Sequence, residues 1–194
     1  MTKINRVKYI NSYFCINFKN EILSNKKFHR NYYENNGGCT VISGANIAHF
    51  GFRVPIRSYL HQYMNSRGLF EKSLRLVNSG GGRFTTTKEA LRKFSVQPRL
   101  TLNFGSDMEE TGKLLNNDFI REVLEPFRRI EKQYQAVLLK LEAHAASIVF
   151  KNNEIFVSDL IMHHGIVLKG SIQENYDDIL SGLLSKTIYK AWYI

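Results

Sequence analysis

Hydrophobic and polar residues alternate along residues 48–55 in the pattern of a β-strand with one apolar face. The aromatic side chains of Phe50 and Phe52 would fall on one side of such a strand, and Arg53 would fall on the other. Pro55 would end the strand, because proline has no amide proton to donate to a strand ladder. The alternation therefore predicts a buried strand that carries one permanent charge.

The charge on Arg53 sets a condition on its surroundings. A guanidinium is costly to remove from water unless an anion accepts hydrogen bonds from its planar fork of donors. A structural aspartate or glutamate would meet that condition, and so would a phosphate group of a ligand. The stretch by itself leaves both partners open.

Apolar residues at three- and four-residue steps predict helices in several parts of the chain. One helix is expected over residues 56–70, and a second, short one over 69–77. A longer apolar stripe ending at residue 141 predicts a main helical region that Pro126 kinks or divides. The tail, 176–194, has the pattern of a short amphipathic helix that ends in aromatic residues.

Strand patterns dominate the later half of the chain. Residues 99–104 alternate, and 146–151 and 154–159 flank an Asn-Asn pair that suits a two-residue hairpin turn. Another strand is expected over 165–171. These elements predict a single compact α+β domain with central, mainly antiparallel β-structure and flanking helices.

Composition and charge narrow the class of protein. The chain has 194 residues, 43% of them hydrophobic, which is enough for one domain with a core. We assign that domain to residues 37–194 and interpret the basic stretch 1–36 as a flexible leader. The net charge of +10 favours acidic partners in general, from phosphates and nucleic acid to anionic membranes and acidic proteins.

The sequence has no pattern typical of a metal site, a transmembrane segment or a nucleic-acid-binding motif. The two cysteines form no CxxC or Cys/His pattern, so no metal site is expected. No apolar run approaches the length of a transmembrane segment. No known nucleic-acid-binding motif is present either, so no specific nucleic-acid partner is expected.

Cys39 follows a glycine pair, a place where a helix can begin and lower the pKa of the thiol. Papain-like hydrolases and deamidases place their nucleophile in this way, and His163 or His164 with Asp177 or Asp178 would complete a triad. No glutamine precedes Cys39 at the spacing of the oxyanion donor in those enzymes. The alternative is a buried, inert cysteine.

A run of hydroxyl residues follows an arginine and an aromatic residue. Arg83 and Phe84 precede Thr85, Thr86 and Thr87, and a helical pattern begins directly afterwards. The β-branched threonines favour an extended conformation. Thr87 would then cap the helix through its hydroxyl, which leaves the other two threonines for further hydrogen bonds.

Arg53, the run 83–87 and Asp159 resemble, in order and spacing, the Arg / Ser-Thr-Ser / acid arrangement of ADP-ribosyltransferases. The closer resemblance is to the HopF/EspJ family of type III secreted effectors, divergent members of that superfamily. The separations from Arg53 are 85 − 53 = 32 and 159 − 53 = 106 residues. The resemblance covers about residues 45–170, with one carboxylate, Asp159, where most transferases have a Glu-x-Glu pair.

The resemblance implies an ADP-ribosyltransferase type of fold, NAD as co-substrate and a role for each matching residue. Arg53 would anchor NAD and share in catalysis, the hydroxyls of 85–87 would brace the nucleotide-binding core, and Phe84 would pack beside the nicotinamide. Asp159 would be the catalytic carboxylate that stabilises an oxocarbenium-like transition state. His49, on the expected strand face of Arg53, would be either a further NAD-pocket residue or a packed core histidine.

The resemblance also implies a place of action and a target. It predicts delivery by a type III apparatus into the host-cell cytoplasm, with residues 1–36 as the export signal and a secretion chaperone as a further partner. The expected target is a host signalling protein such as a kinase or an immune regulator. A cysteine hydrolase using Cys39 and a non-enzymatic basic binding protein are the alternatives that the sequence leaves open.

Overall fold

The described part of the chain is an antiparallel β-sheet with three helices, an α+β architecture as the sequence predicts. The computed structural model describes residues 14–17, 39–73, 82–105, 113–114, 122–123, 134–142, 144–152, 154–158, 166–171 and 187–194. Its helices are α1 (Cys39–Asn46), α2 (Ile56–Ser73) and α3 (Gly82–Arg92), and a π-helical turn (Ile47–Gly51) continues α1. Its strands are β1 (Phe14–Asn17), β2 (Leu100–Asn103), β3 (Lys113–Leu114), β4 (Ala136–Leu141), β5 (His144–Lys151), β6 (Glu154–Ser158), β7 (Ile166–Ser171) and β8 (Thr187–Tyr193).

The strands follow the order β1-β7-β6-β5-β4-β8-β2 across the sheet, and β3 pairs with β8 as well. All these pairs are antiparallel. β8, the last strand of the chain, lies inside the sheet between β4 and β2. The C-terminal residues therefore contribute to the centre of the fold.

The predicted strands of the later half are confirmed where the structure describes them. β5 and β6 form the expected hairpin, closed by the pair Lys151 and Glu154. Asn152 has φ 51°, the left-handed conformation that a tight hairpin turn uses and that asparagine tolerates. β2 and β7 correspond to the strands predicted over 99–104 and 165–171.

The helices predicted up to residue 141 and over 176–194 are wrong at 136–141 and 187–193, which form β4 and β8, whereas 124–133 and 172–186 lie outside the described residues. β4 is a nearly continuous apolar run, and Ala136 through Leu139 are all buried. A strand covered on both faces has no alternation of apolar and polar residues, so its sequence is easily taken for part of a buried helix. β8 contains Tyr189, Trp192 and Tyr193, aromatic residues that favour strands and that pair here with β4 and β2.

The helical region before the sheet also differs from the prediction. α2 continues through Gly68 to Ser73 as one helix, so the separate helix expected over 69–77 is wrong for residues up to 73. Residues 74–77 lie outside the described residues. α3 begins at Gly82 and includes the threonine run that was expected to be extended.

The sheet separates two hydrophobic layers. Leu138 and Val149 belong to the layer that also holds Tyr59 and Leu91 of the helices, whereas Leu139 belongs to the opposite layer. This division follows from the alternation of side chains along a strand. α1 lies against β5 and β6 and also contacts α2 and α3, so it is the central helix of its layer.

The predicted leader 1–36 lies outside the described residues except for Phe14–Asn17. Those four residues form β1, which pairs with β7 at the edge of the sheet. Within the described ranges, no helix is long and apolar enough to cross a membrane.

Candidate functional site

Arg53 lies in a tight turn after α1, so the strand predicted over residues 48–55 is wrong. The backbone amide of Arg53 donates a hydrogen bond to the carbonyl oxygen of His49 at 3.0 Å. The backbone amide of Val54 donates one to the carbonyl oxygen of Ala48 at 2.9 Å. The chain here forms a helix end in place of a strand, because both amides bond to carbonyls of the preceding turn. The side chain of Arg53 is exposed.

The backbone of Arg53 is in the left-handed region, with φ 58°. A left-handed residue commonly ends a helix in this way, and it is usually glycine because a β-carbon is crowded there. The cost for an L-residue is roughly 1–2 kcal/mol. An arginine held in a conformation that favours glycine is a candidate for a functional side chain.

His49 and Phe50 hold this turn against the sheet. His49 Nδ1 lies 3.1 Å from the carbonyl oxygen of Val54. Because a carbonyl oxygen only accepts, Nδ1 carries the hydrogen and donates it. The ring of Phe50 stacks on Phe156 of β6 with centroids 4.3 Å apart. His49 thus stabilises the turn that presents Arg53, and the expectation that the two share a strand face is wrong.

The threonine run does not form the predicted extended segment or helix cap. Thr86 and Thr87 are buried within α3, and Thr85 is half-buried. The hydroxyl of Thr87 donates to the carbonyl oxygen of Thr40 at 3.1 Å. That bond connects α3 to α1, so Thr87 braces the packing of two helices.

Phe84 is also part of the core. Its buried ring packs against Trp192 with centroids 5.4 Å apart. The Lys88 ammonium lies 4.7 Å from the centroid of the same indole, within range of a cation–π interaction. Burial lowers the pKa of Lys88, and the positive charge of Lys190 lowers it further. Neither lysine was among the residues predicted to form a site.

A cluster of buried polar side chains fixes α1 on β5 and β6. The Ser158 hydroxyl lies 3.0 Å from that of Ser43 and 2.8 Å from that of Ser147. The Ser158 hydroxyl also accepts a hydrogen bond from the backbone amide of Ser147 at 2.8 Å. The side-chain amide of Asn46 donates to the Ser147 hydroxyl at 2.9 Å. The sequence gives no signal for this cluster, because its members are separated by as many as 115 residues.

Asp159, the predicted catalytic carboxylate, lies outside the described residues. The residue before it, Ser158, ends β6 and is a member of the buried polar cluster. Ser43 of that cluster belongs to α1, and α1 continues into the turn that carries Arg53. The end of β6 therefore lies beside the middle of α1, whereas the Arg53 turn follows the π-helical continuation of that helix.

The helix begins at Cys39, as expected from the glycine pair before it. The other members of the alternative triad, His163, His164, Asp177 and Asp178, lie outside the described residues. A helix start beside a cysteine favours the thiolate through the helix dipole. The position of Cys39 is thus the one described feature of the hydrolase hypothesis.

Close packing at Gly44 joins α1 to α2 and α3. A methyl group at Gly44 would overlap the Tyr59 hydroxyl and lie 2.9 Å from Thr87 Cγ2. Burial raises the pKa of Tyr59 well above its ordinary value, and Tyr63 adds to the effect. The three helices therefore pack without spare volume at Gly44.

Comparisons of the chain with protein-family models, with curated proteins and with solved structures find no match. Among the described residues, no group of three or more His, Cys, Asp or Glu side chains is placed to hold a metal ion.

Proposed function

We propose that the chain is an NAD-dependent ADP-ribosyltransferase of the HopF/EspJ effector type, which modifies a host signalling protein such as a kinase or an immune regulator. In this proposal the protein acts in the host-cell cytoplasm after type III secretion. The observation that carries the proposal is the exposed guanidinium of Arg53 on a turn that is fixed by two backbone hydrogen bonds.

The chemistry of Arg53 supports a phosphate ligand. An exposed guanidinium on a fixed backbone loses side-chain freedom but no backbone freedom on binding, and its fork of donors matches two phosphate oxygens. The two backbone hydrogen bonds and the stacked Phe50 hold the turn in place. Arg53 is accordingly the proposed anchor for the diphosphate of NAD.

Asp159 is the proposed catalytic carboxylate. In the transfer, the bond between the nicotinamide nitrogen and ribose C1′ breaks, and its electron pair leaves with nicotinamide. A nucleophile of the target then forms the new bond at C1′ and loses its proton. A carboxylate beside C1′ stabilises the positive charge that develops between these two events.

Labelled NAD tests the proposal directly. The purified chain is incubated with NAD labelled on its adenylate and with host-cell lysate, which also supplies any host factor. Wild-type protein should transfer label to a lysate protein. Arg53→Ala and Asp159→Ala should each lower the rate roughly 100-fold or more, the usual loss when one electrostatic group of a transition state is removed.

Arg57→Ala is the matched control, because Arg57 is an exposed arginine on the neighbouring α2 that the proposal leaves out of the site. That variant should transfer label at the wild-type rate. Thermal unfolding of each variant separates loss of activity from loss of fold. An Asp159→Ala protein as active as wild type would reject the transferase assignment.

The start of α1 at Cys39 favours a second candidate, the cysteine hydrolase or deamidase. In that case Cys39→Ala would abolish activity, and iodoacetamide would label Cys39 ahead of Cys15. Under the transferase proposal Cys39→Ala retains transfer of label. The two candidates therefore give opposite results with one variant.

A further inference from the structure

A row of polar side chains crosses three strands of the sheet, outside the residues assigned to the proposed NAD site. Lys140 of β4 pairs with Lys190 of β8, and Lys190 pairs with Asn103 of β2. Direct partners in antiparallel strands lie on the same face. The three side chains therefore form one row across β4, β8 and β2.

This row lies on the helix side of the sheet. Trp192 belongs to the helix-side core, and Lys190 precedes it by two residues on the same strand, so both point to the same face. Lys140 and Lys190 are half-buried, and Asn103 is exposed. The row is thus reachable from solvent at the margin of the helix layer.

Lys88 of α3 adds a third positive charge from the helix layer. Its ammonium lies 4.7 Å from the centroid of Trp192, whose strand partner on β2 is the exposed Thr101. Lys88 is close enough to Lys190 for the charge of one to disfavour the charge of the other. The nearby carboxylate of Glu89 offsets part of this repulsion, and it is also bonded to Arg92 at 3.0 Å.

The charges of Lys88 and Lys190 disfavour each other, and Lys88 lies over the indole of Trp192 on the strand of Lys190. An anion between the lysines would reverse that interaction. We infer that Lys88, Lys140 and Lys190, with Asn103 at the end of the row, form a binding site for a diphosphate group.

The dimensions of the row indicate a diphosphate. Neighbouring strands are roughly 4.8 Å apart, so the row from β4 to β2 is about 10 Å wide. Two linked phosphate groups can reach both lysines of the row and the asparagine amide. A single phosphate can reach only two neighbouring side chains of the row. Ammonium groups suit such a ligand because they follow its oxygens as mobile point charges.

The site contains its own reporter. Trp192 is the one tryptophan of the chain, and Lys88 lies over its ring. An anion that draws Lys88 toward itself changes the field at the indole and hence its fluorescence. Inorganic pyrophosphate is the probe, titrated at constant ionic strength with sodium chloride as the control for general screening.

Pyrophosphate should give a saturable change in Trp192 emission, with the same affinity by calorimetry, and orthophosphate should bind more weakly. Lys190→Gln and Lys88→Gln should each weaken pyrophosphate binding by about tenfold or more, since each loses a charge-assisted hydrogen bond. Lys93→Gln, which changes an exposed lysine in the turn after α3, should bind as wild type does.

The result that would overturn the inference is a pyrophosphate response no larger than that of sodium chloride, or wild-type affinity in folded Lys190→Gln and Lys88→Gln. The inference does not depend on the transferase proposal, because pyrophosphate tests the site without NAD. Adding NAD in a second titration shows the source of the diphosphate. Competition by NAD would assign the dinucleotide's diphosphate to the lysines in place of Arg53, and undisturbed pyrophosphate binding identifies a separate diphosphate ligand.

Discussion

Replacing Arg53 with glycine should stabilise the fold and weaken NAD binding in the same variant. The side chain is exposed, so its removal empties no core position. The backbone has φ 58°, which glycine adopts without strain. The stability of the fold and the affinity for NAD should therefore change in opposite directions with one substitution.

The expected gain follows from two opposing terms. Removing the β-carbon from a left-handed residue recovers roughly 1–2 kcal/mol. Glycine is also freer in the unfolded chain, which costs about 0.5–1 kcal/mol. The net gain is about 0–1.5 kcal/mol, or a rise in Tm of up to roughly 6 °C for a chain of this length. Loss of a charged hydrogen bond to phosphate should weaken NAD binding by about tenfold or more.

Urea denaturation followed by circular dichroism measures the stability, and calorimetric titration measures NAD binding. Ser95→Gly is the matched control, because Ser95 is exposed with φ 61° and lies outside the proposed site. It should show the same gain in stability with unchanged NAD affinity. A loss of stability in Arg53→Gly would refute the left-handed turn, and unchanged NAD affinity would refute the anchor role.

Other features of the helix layer give further expected outcomes. Gly44→Ala should lower the free energy of unfolding by about 1–3 kcal/mol through overpacking, whereas Gly51→Ala, whose β-carbon would meet its nearest neighbour at 3.6 Å, should be near neutral by urea denaturation. Ser158→Ala leaves a buried amide without its acceptor and should cost about 1–3 kcal/mol in the same assay. Burial lowers the pKa of Lys88 in the fold, so the folded state binds this proton less tightly and stability should rise as pH increases toward 10.5, the ordinary lysine value. Lys88→Met should show a smaller rise, and equal slopes would contradict the lowered pKa.

Local signals in the sequence were enough for the elements that local chemistry determines. The β5–β6 hairpin could be predicted because Asn152 supplies the left-handed turn between two alternating segments. The start of α1 at Cys39 could be predicted because a glycine pair precedes it. In both cases the residues that determine the structure lie next to each other in the chain.

Long-range pairing decided the elements that could not be predicted. β8 forms a strand because β4 pairs with it on one side and β2 on the other. The sequence of β8 alone does not indicate either partner. The polar cluster around Ser158 depends on residues more than 100 positions apart. The lysine row likewise exists only through the register of Lys140 with Lys190.

The Arg53 stretch shows how a correct pattern can give a wrong conformation. Phe50 and Phe52 are partly buried and pack on the helix-side core, and Val54 is part of it, as one apolar face requires. A strand would achieve this by alternation, but the chain achieves it with a π-helical turn and a reversal at Arg53. The apolar face was predictable, and the backbone that forms it was not.

A crystal structure with NAD bound would test the proposed site through two distances. We expect the Arg53 guanidinium to lie about 3 Å from an oxygen of the NAD diphosphate. The Asp159 carboxylate should lie within the same distance of a hydroxyl of the nicotinamide ribose. NAD bound elsewhere, or Arg53 and Asp159 on opposite faces of the molecule, would reject the proposed site.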